Sequence, residues 1–473
     1  MTPNNFNPTN PTGAPTPAPT PTPAPAPGYG AAPVGTAPAY GYGAPVAPKS
    51  DKKKLIIIAA IVVVAIIVAI FAFKAIFGGK KNDREVENLF NENLVAIKQG
   101  EDYGFMNKKG KVVINAQFDG VDQFYEGLAI YGKESEEESE YGPTTKYEYG
   151  FINKKGEVVV NAQYDYAYPF HEGLAAVAKY DEEDGMKWGF IDKKGKEVIA
   201  IQYDGVGSFN EGLAAVQDGE DWGFIDKKGT YVVNPQYDAV NIFTEGLAVV
   251  GKTNKKGESE YGCINKKGEI VIDLKFDYMR EFSEGLAPVR DGEDWGFIDE
   301  KGNFVINAQY DGAYSFSEGL ALVKDDEEYG FIDKKGNIVI SPQFDDAYSF
   351  SEGLAAVCKG DEWGYVDKKG TYVVNTQYDS AGNFKCGLAL VGKSDDDEME
   401  YGFINKKGEF VIDMQYADAS DFKDDGYAIV SKDTTKSYFV IDKKGKQIGG
   451  EFDGVYGYEA YDPEEEFDYD DEE

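Results

Sequence analysis

From Tyr103 onward, apolar and polar positions recur in one motif: an aromatic residue, Gly, an aromatic or Cys, an aliphatic, Asn or Asp, and a turn ending in Lys-Gly. Nine copies open at Tyr103, Tyr149, Trp188, Trp222, Tyr261, Trp295, Tyr329, Trp363 and Tyr401, and Tyr438 opens a degenerate tenth. The distance from the opening aromatic to the Gly before the next aliphatic run is 24 residues in the first eight copies. Length varies almost only between that run and the next aromatic-Gly pair, as in Gly132–Glu148, so this stretch is read as an exposed hairpin tip.

The periodicity is that of strands. Each unit reads as a three-stranded meander: a GLAAV-type strand, the variable tip, the WGFID-type strand, the Lys-Lys-Gly turn, and an IVI-type strand. In that turn Asn or Asp caps and Gly takes a positive φ. Helical spacing of apolar residues at i, i+3, i+4 and i+7 is absent. Both GLAAV and IVI are apolar at consecutive positions, so both faces of each small sheet are expected to be covered by stacked neighbours. The Gly of the aromatic-Gly pair is expected to let the next unit's ring approach closely. A single meander is too small to be stable alone, so nearest-neighbour interfaces should hold the array. The expected fold is all-β, a tandem array of ten three-stranded antiparallel meanders stacked as an open β-solenoid or as propeller-like blades. Ten copies exceed the usual four to eight blades of a ring, which favours an open or very large array.

These motifs resemble the bacterial WG-repeat family, whose signature is the aromatic-Gly pair, a short hairpin and a trailing F-x-E-G-L-A segment, here over roughly residues 93–458. Two copies depart from it. Phe439 replaces the Gly in the last, and Asp424, Asp425 and Gly426 replace Glu-Gly in the ninth. Some members of that family resemble aromatic-rich cell-wall-binding repeats.

Outside the repeats the chain changes character. Residues 1–54 form a Pro-rich tail, expected to be disordered, with a basic juxtamembrane segment. Leu55 to Phe73 is 19 residues without a polar or charged group, expected to lie in one transmembrane helix spanning 55–78. A linker at 79–91 leads to the array at 92–460, followed by an acidic tail at 461–473. Lysines flank the apolar run on both sides, and those packed against its start favour a cytoplasmic tail with extracytoplasmic repeats.

The formal charge is −36, and the two flanking basic segments contribute +3 each, leaving −42 from Glu85 onward. Such a chain repels phosphate backbones, so nucleic acid is not expected as a partner. Cys263, Cys358 and Cys386 lie in different copies without zinc spacing, and His171 stands where other copies have Asn210, Thr244, Ser283 or Tyr125. No P-loop, dinucleotide fingerprint, HExxH or nucleophile elbow occurs, so neither an enzyme nor a cofactor is expected. An aromatic-acid pair recurs after the third strand, as in Phe118-Asp119 and Tyr310-Asp311, and reads as a turn cap before the recurring Phe rather than as a cation or sugar site. Trp188, Trp222, Trp295 and Trp363 are the candidate ligand-contact aromatics, able to stack on sugars or cations, with inter-repeat packing as the competing role. The acidic tips lack the alternating spacing of a calcium loop. Taken together, these features lead to a non-catalytic, membrane-anchored binding or display protein whose partner is another protein at the cell surface. A cell-wall or glycan-binding module and an intracellular-facing scaffold are the alternatives.

Overall fold

The computed structural model describes residues 88–139, 142–181, 184–395, 398–435 and 437–459. The expected Pro-rich tail, transmembrane helix, linker up to residue 87 and acidic C-terminal tail lie outside these residues. Among the described residues there is no helix long and apolar enough to cross a membrane.

The array consists of ten small antiparallel sheets. In the first, β1 (Leu94–Gln99), β2 (Asp102–Asn107) and β3 (Val112–Phe118) form the expected meander. The second adds what the meander lacked. A two-residue strand, β4 (Gly120–Val121), precedes β5 (Leu128–Ser139), β6 (Gly142–Asn153) and β7 (Val158–Tyr164) and pairs with β5. Only Asp119 separates β3 from β4, so each repeat begins the next sheet before its own sequence unit ends.

That offset closes the array. The tenth repeat ends in the short strand Gly454–Val455, which pairs with β1 through Ile97↔Val455 and Lys98↔Gly454, and Tyr458–Glu459 adds a fifth strand. Ten apolar clusters join the ten sheets, each built from two neighbours. An open row of ten sheets would have nine interfaces. The tenth sets Val95, Ile97 and Met106 of the first sheet against Ile429, Val440 and Phe452 of the last. The fold is therefore a closed ten-bladed β-propeller, and the open solenoid is excluded. Of the two arrangements expected, the propeller-like one is realised, with ten blades; the solenoid alternative rested on blade numbers of the commoner rings, whereas closure is set by the angle between successive blades.

The third residue of each motif forms the ladder that holds blades together. Phe105 meets Phe124 of the next blade at 4.8 Å, and eight such pairs lie at 4.7–4.9 Å in tilted or edge-on geometry. Each contributes about 1 kcal/mol beyond its area burial. Cys263 takes this place at one interface, where it packs with Met279 and Phe282.

Two expectations are corrected here. A Cβ on Gly104 would lie 2.5 Å from the Ile114 carbonyl oxygen and 2.6 Å from the Ala116 nitrogen, so this Gly makes room for backbone, not for a neighbouring ring. Four residue steps of β3 between Ile114 and Phe118 oppose two of β2 between Phe105 and Tyr103, and the resulting bulge presses against the Gly. The IVI-type strand is also covered on one side only. In β3 just Ile114 and Phe118 are buried, and the equivalents of Val113 are exposed in blade after blade. An edge strand has no neighbour beyond it, and its bulge blunts it against pairing with another chain.

Candidate functional site

Two turns end each blade on one face, and hairpin tips end it on the other, because they lie at opposite ends of the same central strand. At the Lys-Lys-Gly turn the Asn107 side-chain oxygen accepts from the Lys109 and Lys111 backbone amides at 2.9 and 3.2 Å, and Gly110 has φ +75°. Where Asp holds this place, as at Asp226, two such backbone donors keep its carboxyl below the usual carboxylate range.

The Glu-Gly turn does more than reverse the chain. Glu126 sits at φ +51° followed by Gly127 at +89°, a conformation that Glu adopts at a cost of about 1 kcal/mol. Its carboxylate accepts from the Gly173 amide of the next blade at 3.0 Å and pairs with Lys193 at 2.9 Å. Lys193 also donates to the Glu126 carbonyl at 2.9 Å. Burial pushes the Glu126 carboxyl up, but Lys193 and the Gly173 and Glu172 amides outweigh it and hold it below its ordinary value. The same stitch recurs as Glu92–Lys154, Glu172–Lys227, Glu211–Lys266, Glu284–Lys334, Glu318–Lys368 and Glu352–Lys406.

The ninth copy's Asp-Asp-Gly now has a reason. Asp425 accepts from the Leu89 and Phe90 amides at 3.2 and 3.0 Å and pairs with Lys108 at 3.2 Å, so it makes the closing stitch. Two stitches differ in chemistry. Cys386 replaces Glu at one, and Glu300 replaces Lys opposite Glu245 at another. There the two carboxylates line an open cleft of about 280 Å³ with Thr244, Leu247, Val271 and Phe282.

The recurring Asp works on the opposite face. Asp119 accepts from the Glu134 amide 15 residues on, and Asp204, Asp345 and Asp379 do the same to Gly219, Gly360 and Ser394. It pins the root of the next hairpin tip rather than capping the turn before the Phe. Asp453 performs this role across the closure, on Gly100.

The four tryptophans belong to four different blades. Trp222 is buried and the others are half-buried. Trp188 stacks on Tyr168 at 4.8 Å, Trp363 stacks on Tyr348 at 5.0 Å, and Trp295 lies 5.7 Å from Tyr278 with the Arg280 guanidinium 5.1 Å from its ring. His171 lies against Tyr125 at 5.8 Å. At the equivalent position Asn210 and Ser283 hydrogen-bond the next blade's Phe carbonyl at 2.9 and 2.7 Å. The cysteines are free thiols, and burial pushes that of Cys263 up to about 12. Sequence reasoning missed Glu281, which burial raises to about 7 against the opposing hydrogen bond from Asn241. Its signal was a Glu directly before the recurring Phe, where Ser208, Ser315 and Ser349 stand in other copies. Among the described residues no group of three or more acidic, His or Cys side chains is placed to hold a metal ion.

A closed ring of recurring stitches defines a repeat propeller. The WG containing repeat matches it nine times, at residues 103–135, 149–181, 188–220, 222–255, 261–293, 295–328, 329–363, 363–395 and 401–433, and the chain belongs to that family. No curated protein matches. Among solved structures, the tricorn protease is similar over 69% of this chain and 38% of its own length, with 11% identity and a TM-score of 0.22. Streptogramin B lyase is similar over 49% of this chain and 92% of its own, with 14% identity and a TM-score of 0.27. A quinonprotein alcohol dehydrogenase-like protein from Bacteroides thetaiotaomicron is similar over 78% and 95%, with 11% identity and a TM-score of 0.27. Likenesses this distant carry no functional argument.

Proposed function

We propose that this chain is a non-catalytic binding and display protein, anchored through Leu55–Phe73, whose propeller presents the hairpin tips to a protein partner at the cell surface. One observation supports this above the others: the recurring Asp after the third strand and the Glu and first Lys of the turns are spent on holding the ring together, while the tips vary freely. Asp119 and its equivalents hold tip roots, and the Glu and Lys of the turns hold blades. The tips range from the two-residue reversal at Gly292-Glu293 to the long ribbon of β5 and β6. A rigid ring with variable, acidic tips suits recognition of a basic protein surface, with the acidic groups steering encounter.

The test replaces Lys133–Glu148 with the short Asp291–Asp294 tip and compares cross-linked partners in intact cells. Loss of a partner on tip exchange supports the reading. Partners that persist, and that cross-link elsewhere on the ring, sink it. Protease treatment of intact cells, with separate detection of tail and repeats, decides the orientation.

A further inference from the structure

The face opposite the tips is chemically different. Of the twenty Lys-Lys positions in the ten turns, nineteen are Lys, although the chain from Glu85 onward carries a net charge of −42. The first Lys of the pair is taken up by the stitches, but the second is exposed in all ten turns, from Lys109 to Lys444. The stitch Glu residues and the cap Asp residues, such as Glu126, Asp192 and Asp226, share this face and offset part of its charge, while the acidic excess is on the tips, in runs such as Asp218–Asp221 and Asp325–Glu328, so the ring is polarised.

Apolar side chains join these lysines. The edge strand starts two residues after each turn Gly, and its first two positions are where exposed apolar side chains gather: Val158, Ile270, Ile338 and Phe410 are 48%, 55%, 56% and 43% exposed. Of the 17 exposed large hydrophobic residues, 14 fall at these positions. Exposed Lys beside exposed Val, Ile and Phe is the composition of a surface that settles into a lipid headgroup layer. The described chain also begins on this face, where Leu89 and Phe90 are clasped by Asp425 and Lys108.

We propose that the Lys-Lys-Gly face of the propeller docks on anionic phospholipid, with the turn lysines on the headgroups and the edge-strand residues among them. The inference rests on the anchored reading above and adds the orientation: the tips face away from the membrane. Lipid attracts Lys and Arg near an anionic surface, and the attraction falls off within a Debye length.

The full chain is reconstituted into vesicles of phosphatidylcholine alone or mixed with phosphatidylglycerol, and lysines are acetylated and read by mass spectrometry. In the anionic vesicles the second turn lysines label roughly tenfold more slowly than in neutral ones, while Lys133 and Lys252 on the tips are unchanged. The protection disappears in molar salt, where the Debye length is about 3 Å. A variant carrying Lys194→Gln, Lys228→Gln, Lys267→Gln, Lys335→Gln and Lys369→Gln keeps every stitch and loses the protection at its remaining turn lysines. Equal labelling in both vesicle types, or protection of tip lysines instead, overturns the proposal. A chain that stays extractable by carbonate overturns the anchoring alone, since the same footprint with added anionic vesicles still reads the face.

Discussion

Replacing Asp425 with Ala removes the closing stitch and nothing else of the ring's covalent or apolar structure. Its carboxylate is 5% exposed and accepts two backbone N–H groups, those of Leu89 and Phe90, each of which belongs to a residue 1% exposed. A buried donor left without an acceptor costs roughly 1–3 kcal/mol, so the two together cost about 3 kcal/mol, and Lys108 loses its partner besides. The loss falls on the seam where the first sheet takes its fourth strand, Gly454–Val455, from the other end of the chain. Native-state hydrogen exchange is therefore expected to quicken in β1 and at Gly454–Val455 by a factor of about 100, the equivalent of about 3 kcal/mol in local opening. Blades remote from the seam, such as the one containing Glu328–Asp333, keep their wild-type protection. Asp424→Ala is the control: its ion pair with Lys385, at 3.4 Å, is partly exposed, so the change costs under about 1 kcal/mol. Exchange that quickens evenly around the ring, or that stays unchanged at the seam, would refute the assignment of Asp425 as the clasp.

Glu300→Lys completes the stitch opposite Glu245 and is expected to stabilise the ring by up to about 1 kcal/mol, with Glu300→Gln intermediate, in urea titrations at low salt; a destabilised Lys variant would show that this interface has a different geometry from its neighbours. Gly330→Ala would place a Cβ 2.6 Å from the Pro342 nitrogen and 2.7 Å from the Ile340 carbonyl oxygen, so it should cost more than roughly 2 kcal/mol by the same assay, whereas Gly353→Ala meets no neighbour and costs only the roughly 1–2 kcal/mol of its φ of +90°. Glu281 has a folded-state value raised from 4.5 to about 7, so its contribution is fully present below pH 4.5 and is lost as pH rises through 7. Glu281→Gln is therefore expected to gain on wild type by about 3 kcal/mol at pH 9 and little at pH 4; a gain independent of pH would remove burial of the charge as its cause.

The strands, the Lys-Lys-Gly hairpins and the variable tips were legible because each depends on contacts within a few tens of residues. Asn107 and its equivalents cap turns two and four residues away, and Gly110 supplies the φ that the turn requires. The half-repeat at Leu89–Leu94 was harder to see, because Asn93 stands in place of Gly and the copy lacks its opening aromatic. Its Phe90 and Glu92 nonetheless occupy the places of Phe124 and Glu126. The aromatic-Gly pair was read as room for a ring because a sequence displays side chains and hides the backbone bulge that the Gly faces.

By itself the sequence determined the repeat, its phase, its β character and the place where length may vary, since these follow from periodicity and local turn chemistry. Only the tertiary structure decided that the array closes, and with ten blades, because closure is a sum of small angles between sheets that no single repeat encodes. It also decided what the repeated charges do. Glu126 and Lys193 are 67 residues apart in the chain and Asp425 and Leu89 are 336 apart, so each pair exists only once the blades stand side by side.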